Sequence, residues 1–196
     1  MLIVRQKMAD PSVLSVDTMY KTFMMLFTIM MEGNKQAYCK GYVILSDQEG
    51  TALRHALIIT PTLLRKHMAV FQDSYPMDNQ TLINNSRLFI IHMPSLLEKF
   101  LTMFRAALDE KYQNILRILP KSDIEQTFKD EVGEEILPEE YGGTNGTIEE
   151  HVEFWKQEVP RHSEFLAEQT RLKSDESLRP GKPRTAGEQF GSCSIM

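Results

Sequence analysis

Apolar residues along the chain come in short β-branched runs and in longer runs spaced by three or four, and the two kinds alternate. The opening LIVRQ, residues 2–6, has the composition of a strand. Asp10-Pro11 predicts a helix start, because the missing proline N–H costs nothing in a first turn. That helix is expected to reach Glu32, apolar nearly all round over FMMLFTIMM, and to stop at Gly33-Asn34. GYVILSDQEG, residues 41–50, predicts a second strand ending in a turn at Gly50. Thr60-Pro61 predicts a capped helix that Pro76 closes. LFIIHM, residues 88–93, predicts a third strand. Pro94 then opens a helix on which Leu96, Leu97, Phe100, Leu101, Phe104 and Leu108 share one apolar face. A helical turn around Lys111, a strand at 116–119 and a helix at 122–131 continue the series. This alternation predicts an α/β fold with a mostly parallel sheet flanked by helices. Thr147 and Glu150 have capping-box spacing at the head of a last helix, which Pro160 is expected to kink or break. From residue 173 the sequence is polar and rich in Gly and Pro, so the chain is read as a domain at 1–172 and a flexible tail at 173–196.

Composition narrows the function classes. A chain of 196 residues suits one domain with a sizeable core. A net charge of −5 argues against binding nucleic acid through a general basic surface. Cys39 and Cys193 lie far apart with no CxxC, which excludes a cysteine-rich zinc module or disulfide scaffold and suits a reducing cytosol. The first apolar run is too short for a secretory signal, and FMMLFTIMM is about half of a bilayer span. A cytoplasmic protein is expected, with peripheral membrane association open to it. His55, His67, His92, His151 and His162 show no metal spacing, and no GxSxG, Walker or GxGxxG stretch occurs. No catalytic residue, metal or cofactor is therefore expected, and an enzyme is not. Asp47 and Glu49 follow a strand end but are read as shaping the turn. Among twelve methionines, Met19, Met24, Met25, Met30 and Met31 fall on the first helix. Such a cluster either fills an irregular core or lines an adaptable binding surface, and the pattern leaves both open.

ILPEEYGG, residues 136–143, resembles the closing signature of the CRAL-TRIO lipid-binding family, in its branch of tocopherol and retinaldehyde carriers. Further motifs keep the family's order. LIVRQ and ADPS resemble its first strand and Asp-Pro turn. SDQEGTALRHALIITPTLLRKHMAVFQDSYP is similar to its Asp-x-Glu-Gly strand end, Thr-Pro helix start and aromatic-Pro close. LFIIHMPSLLEKFLTMFRAALDEK resembles a strand and the helix gating the lipid cavity, and RPGKPRTAGEQFG resembles the ending of insect members. The resemblance implies an apolar cavity closed by a gate helix and a single lipophilic ligand (a retinoid, tocopherol or similar lipid) carried between membranes. The alternative is a non-transferring, membrane-sensing or scaffolding module on the same fold. Members usually begin with a helical domain of roughly a hundred residues, and the chain is expected to lack it.

Carried over by position, the implied pocket lining is Tyr20, Phe23 and Phe27 on the first helix, with Tyr42 and Ile44 on the second strand. Ile59, Val70, Phe71 and Met77 come next, and the gate contributes Phe100, Leu101 and Phe104. The spacing of Tyr20, Phe23 and Phe27 independently puts them on one helix face. Phe23 and Phe27 stand where some relatives carry small polar side chains, which implies a smaller or less polar cavity. Arg105 and Lys111 match basic positions of relatives that grip phosphoinositide head groups, but Asp78 opposes an acceptor phosphate. The final GSCSIM fits a prenylation pattern at Cys193, after a segment holding Arg179, Lys182 and Arg184. Relatives usually run on past the FG without such a box.

Overall fold

The structure, a computed structural model, describes residues 1–7, 9–10, 12–33, 40–60, 62–63, 85–106, 108 and 110–172. Among the described residues, four strands lie side by side in chain order and all run parallel: β1 (Leu2–Arg5), β2 (Val43–Asp47), β3 (Arg87–Ile91) and β4 (Leu116–Ile118). Leu2 sits opposite Ile44, Ile44 opposite Leu88, and Leu88 opposite Leu116. Because side chains alternate along a strand, this register gives the sheet two distinct apolar faces. One carries Leu2, Ile44, Ile90 and Leu116; the other carries Ile3, Val43, Leu45, Phe89 and Ile91. Burial on both sides explains why the strands read as near-continuous apolar runs.

The first face is covered by α1 (Val16–Gly33), α3 (Glu98–Ala106) and α4 (Glu110–Ile115). The helix expected from Asp10 begins later. The Asp10 carboxylate accepts the Ser12 N–H (2.9 Å) and hydroxyl (2.8 Å), closing a turn of its own. Ser15 is the cap instead, its hydroxyl oxygen accepting the Thr18 N–H at 3.1 Å. A short helix, α2 (Leu53–Leu57), was not legible in the sequence. It is held by His55, which takes the Ala52 N–H on Nδ1 (2.9 Å) and reaches the Ala9 carbonyl with Nε2 (2.9 Å). Thr60 caps as expected, accepting the Leu63 N–H at 3.1 Å, but the body of that helix lies outside the described residues. Pro94 leads through a 3-10 turn at Ser95–Leu97 into α3.

The second face is covered by α5 (Ile124–Glu131) and the ILPEEYGG segment, with Phe128 edge-on to Phe89 (5.7 Å) and to Tyr141 (6.2 Å). In the closing turn the two glycines do different work. Gly142 has φ +81 and caps the 3-10 turn Glu139–Tyr141. At Gly143 a Cβ would collide with the Leu137 backbone carbonyl, so bare backbone is needed for the close approach. In α6 (Ile148–Arg161), Thr147 and Glu150 exchange the expected pair of bonds, 2.8 and 3.2 Å. That helix continues through Pro160, and the break comes at His162, before α7 (Ser163–Gln169). Residues Met1–Val159 form one compact unit, and from Pro160 the chain belongs to a second. No helix among the described residues is long and apolar enough to cross a membrane.

Candidate functional site

Seven of the expected lining residues gather in one hydrophobic cluster on the first face of the sheet. Phe27, Tyr42 and Ile44 are buried within it, Phe27 completely, and Tyr20, Phe23, Leu101 and Phe104 are partly buried against it. The helical spacing read from the sequence produces an aromatic ladder along α1. Tyr20 stacks on Phe23 at 6.5 Å and Phe23 on Phe27 at 6.0 Å, and Phe27 meets Tyr42 edge-on at 5.2 Å. Phe27 is 0% exposed, so its ring borders no void that could admit a water molecule. Phe23 and Tyr20, farther toward the start of α1, keep part of their surface open.

The cluster is therefore graded. Its floor is Phe27, Tyr42, Ile44, Tyr112 and Ile115, all buried. Its rim is partly exposed: Tyr20 and Phe23 from α1, Leu101 and Phe104 from α3, and the adaptable side chains of Met24, Met30 and Met93. The methionines on α1 thus serve both readings left open by the sequence, Met31 in the core and Met24 and Met30 at the rim. Burial, then the neighbouring Tyr112, pushes the Tyr42 phenol above its ordinary value, so it is neutral at physiological pH.

The remaining expected residues are more scattered. Ile59 is partly buried just after α2 and belongs to neither cluster. Phe100 falls on α3 and Lys111 on α4, but their side chains lie outside what is described. Arg105 is exposed in the last turn of α3. Val70, Phe71, Met77 and Cys193, with Asp78, lie outside the described residues.

A polar junction that sequence reasoning missed stands at the carboxyl end of β2 and β3. Asp47, 4% exposed, accepts the Glu49 N–H (2.9 Å) and His92 Nδ1 (2.8 Å) on Oδ1, and the Tyr141 hydroxyl (2.8 Å) on Oδ2. Burial alone would raise this carboxyl. The three hydrogen bonds and the His92 charge interaction outweigh it, and Asp47 is held below the ordinary carboxylate value. Tyr141 is pushed the other way, by burial first and then by its bond to the Asp47 carboxylate. The Glu49 bond is the turn-shaping role expected of this stretch; the His92 and Tyr141 bonds are not local. The only available signal was register, since Asp47 pairs with Ile91 and so places His92 next to it.

An Asp–His pair at the carboxyl end of a parallel sheet would suit a base in hydrolysis. However, the hydroxyl beside it in sequence, Ser46, is engaged by the Gln48 amide at 2.7 Å. Among the described residues, no three His, Cys, Asp or Glu side chains come together as a metal site would require.

Comparison with known proteins agrees with the family read from the motifs. Proteins described as alpha-tocopherol transfer protein-like, from Mus musculus and Homo sapiens, match over 116 residues at 28% and 27% identity. The match covers 59% of this chain and 32% of each relative, so the chain spans about a third of the length of the curated relatives it matches. The CRAL/TRIO domain matches residues 1–143, from β1 to the second glycine of the closing turn. The chain belongs to the CRAL/TRIO domain family.

Proposed function

We propose that the chain binds a small hydrophobic molecule against the first face of its sheet, beneath α3, and carries it between membranes. The observation that carries this reading is the partly open rim of Tyr20, Phe23, Leu101 and Phe104, set over a close-packed apolar floor. A ligand seated there trades hydration for burial. Covering about 300 Å² of its apolar surface at about 25 cal/mol per Å² contributes roughly 7 kcal/mol, a micromolar affinity before ordering costs. No covalent step is needed. The relatives' description as alpha-tocopherol transfer protein-like supports the chemical class. In this reading α3 is the gate, because an apolar seat left open to water would be costly and adhesive.

Arg105, exposed at the end of α3, and Lys111 would be the groups to meet an acceptor phosphate, with Asp78 opposing it. A tail prenylated at Cys193 would add membrane residence time, and intact mass of protein from eukaryotic cells decides that point. The closed packing of Phe27 favours one second reading, a module that uses the fold as a membrane-sensing surface without carrying cargo.

Mass spectrometry of lipids co-purifying with the protein, together with retinol and tocopherol titrations followed by fluorescence, tests the carrier reading. One lipophile per chain, and its transfer from protein to vesicles, is expected. Protein that holds no extractable lipid and binds neither probe sinks the carrier and leaves the module.

A further inference from the structure

We propose that Asp47 is a latch that fixes His92 as the hinge of α3, so that one side-chain bond sets the direction in which the chain leaves β3. His92 is the single non-glycine residue with positive φ (+52°) among the described residues. A residue with a Cβ occupies that region at a cost unless its surroundings hold it there. The ladder ends one residue earlier, where the Gln48 N–H donates to the Ile91 carbonyl at 3.0 Å. At His92 the side chain takes over, with Nδ1 held at 2.8 Å by Asp47. Asp47 is itself fixed by the Glu49 N–H and by Tyr141 of the closing segment, so the latch is anchored on a part of the fold remote from α3.

Beyond the hinge lies the cover of the apolar face. Met93 packs on the cluster, the Leu97 N–H bonds back to the Pro94 carbonyl at 2.9 Å, and α3 then lays Leu101 and Phe104 on the rim. A change of φ at His92 swings all of these together while the sheet stays intact. The inference rests on the reading of α3 as a movable cover, but its primary test does not need a ligand. Asp47 and His92 are positioning residues here, acting through the helix they aim.

Hydrogen exchange of the full chain, followed by mass spectrometry, compares the wild type with His92→Gly and Asp47→Asn. Glycine accepts φ +52° without strain, so His92→Gly removes the bond and leaves the backbone shape allowed. Loss of a bond to a charged group is expected to speed exchange over residues 93–106 about tenfold, with β2 and β3 changed less than about twofold. Asp47→Asn, which weakens the same bond from the other side, is expected to give the same local pattern. Unchanged exchange over 93–106 in His92→Gly overturns the latch, as does an equal rise across the whole sheet. In a second arm, retinol transfer to phosphatidylcholine vesicles should be faster from His92→Gly than from the wild type. If the wild type binds no retinol the carrier reading fails, and the exchange arm still decides the latch.

Discussion

Replacing Phe27 by alanine separates a filled core from a lined cavity. The ring is completely buried, stacked on Phe23 and edge-on to Tyr42. Its removal therefore forfeits both the transfer free energy of the ring and the contacts around the space left behind, together about 3–5 kcal/mol. A ring already bordering an open cavity would lose only its transfer share, about 1.5–3 kcal/mol. In a unit of this size each kcal/mol moves the melting midpoint by roughly 2–4 °C, so a fall of about 6–20 °C is expected. Phe23→Ala, on the same face but partly exposed, should cost less, about 1–2 kcal/mol. Urea unfolding followed by circular dichroism reads both, with the slope reporting whether the unfolded state has changed. A loss below about 1.5 kcal/mol for Phe27→Ala at unchanged slope would refute the close-packed floor. It would also indicate that the apolar seat reaches deeper than the rim.

Three further outcomes are expected. Gly143→Ala should cost more than Gly142→Ala, roughly 2–3 against about 1 kcal/mol, because only the former drives a Cβ into the Leu137 carbonyl; thermal midpoints of the two variants check the order. The Asp47 carboxyl is held low in the folded chain, so its contribution is complete above its unfolded value near about pH 4 and is lost as pH falls through the lower folded value. Asp47→Asn should flatten that acid limb, as read by melting midpoints between about pH 2 and 7. Thr147→Ala removes one half of the capping box and should weaken the start of α6 by about 1 kcal/mol, seen as faster amide exchange at residues 148–151 without a change in the sheet.

The features legible in the sequence were those whose cause is local. VILSD and LFII, bounded by turn residues, marked strands close to where they stand, and their alternation with helical stretches pointed to the parallel sheet. The i, i+3, i+4 spacing of Tyr20, Phe23 and Phe27 placed three aromatic rings on one face before any packing was known. Errors arose where one local signal serves two structures. Asp10-Pro11 resembles a helix start, yet Asp10 closes its own turn and leaves capping to Ser15. Features set by distant partners left no trace. LRHAL is too short to show a period, and α2 depends on a histidine reaching the Ala9 carbonyl 46 residues away. Likewise, nothing in HMP indicates that His92 leaves the strand in a left-handed conformation tied to Asp47.

The order of the strands bears on how the molecule comes to be made. Each strand pairs with the one synthesised before it, so a growing chain can extend the sheet in the order of translation, without holding an early edge open for a late insertion. The exception is the closing segment. Tyr141 bonds to Asp47 across 94 residues and can do so only after the whole sheet has emerged. It would act as a completion signal: a nascent chain stalled before the ILPEEYGG turn would hold a paired sheet with Asp47 short of the Tyr141 donor and Phe128 without the Tyr141 ring against it. Such a chain is the intermediate that a chaperone would be expected to retain.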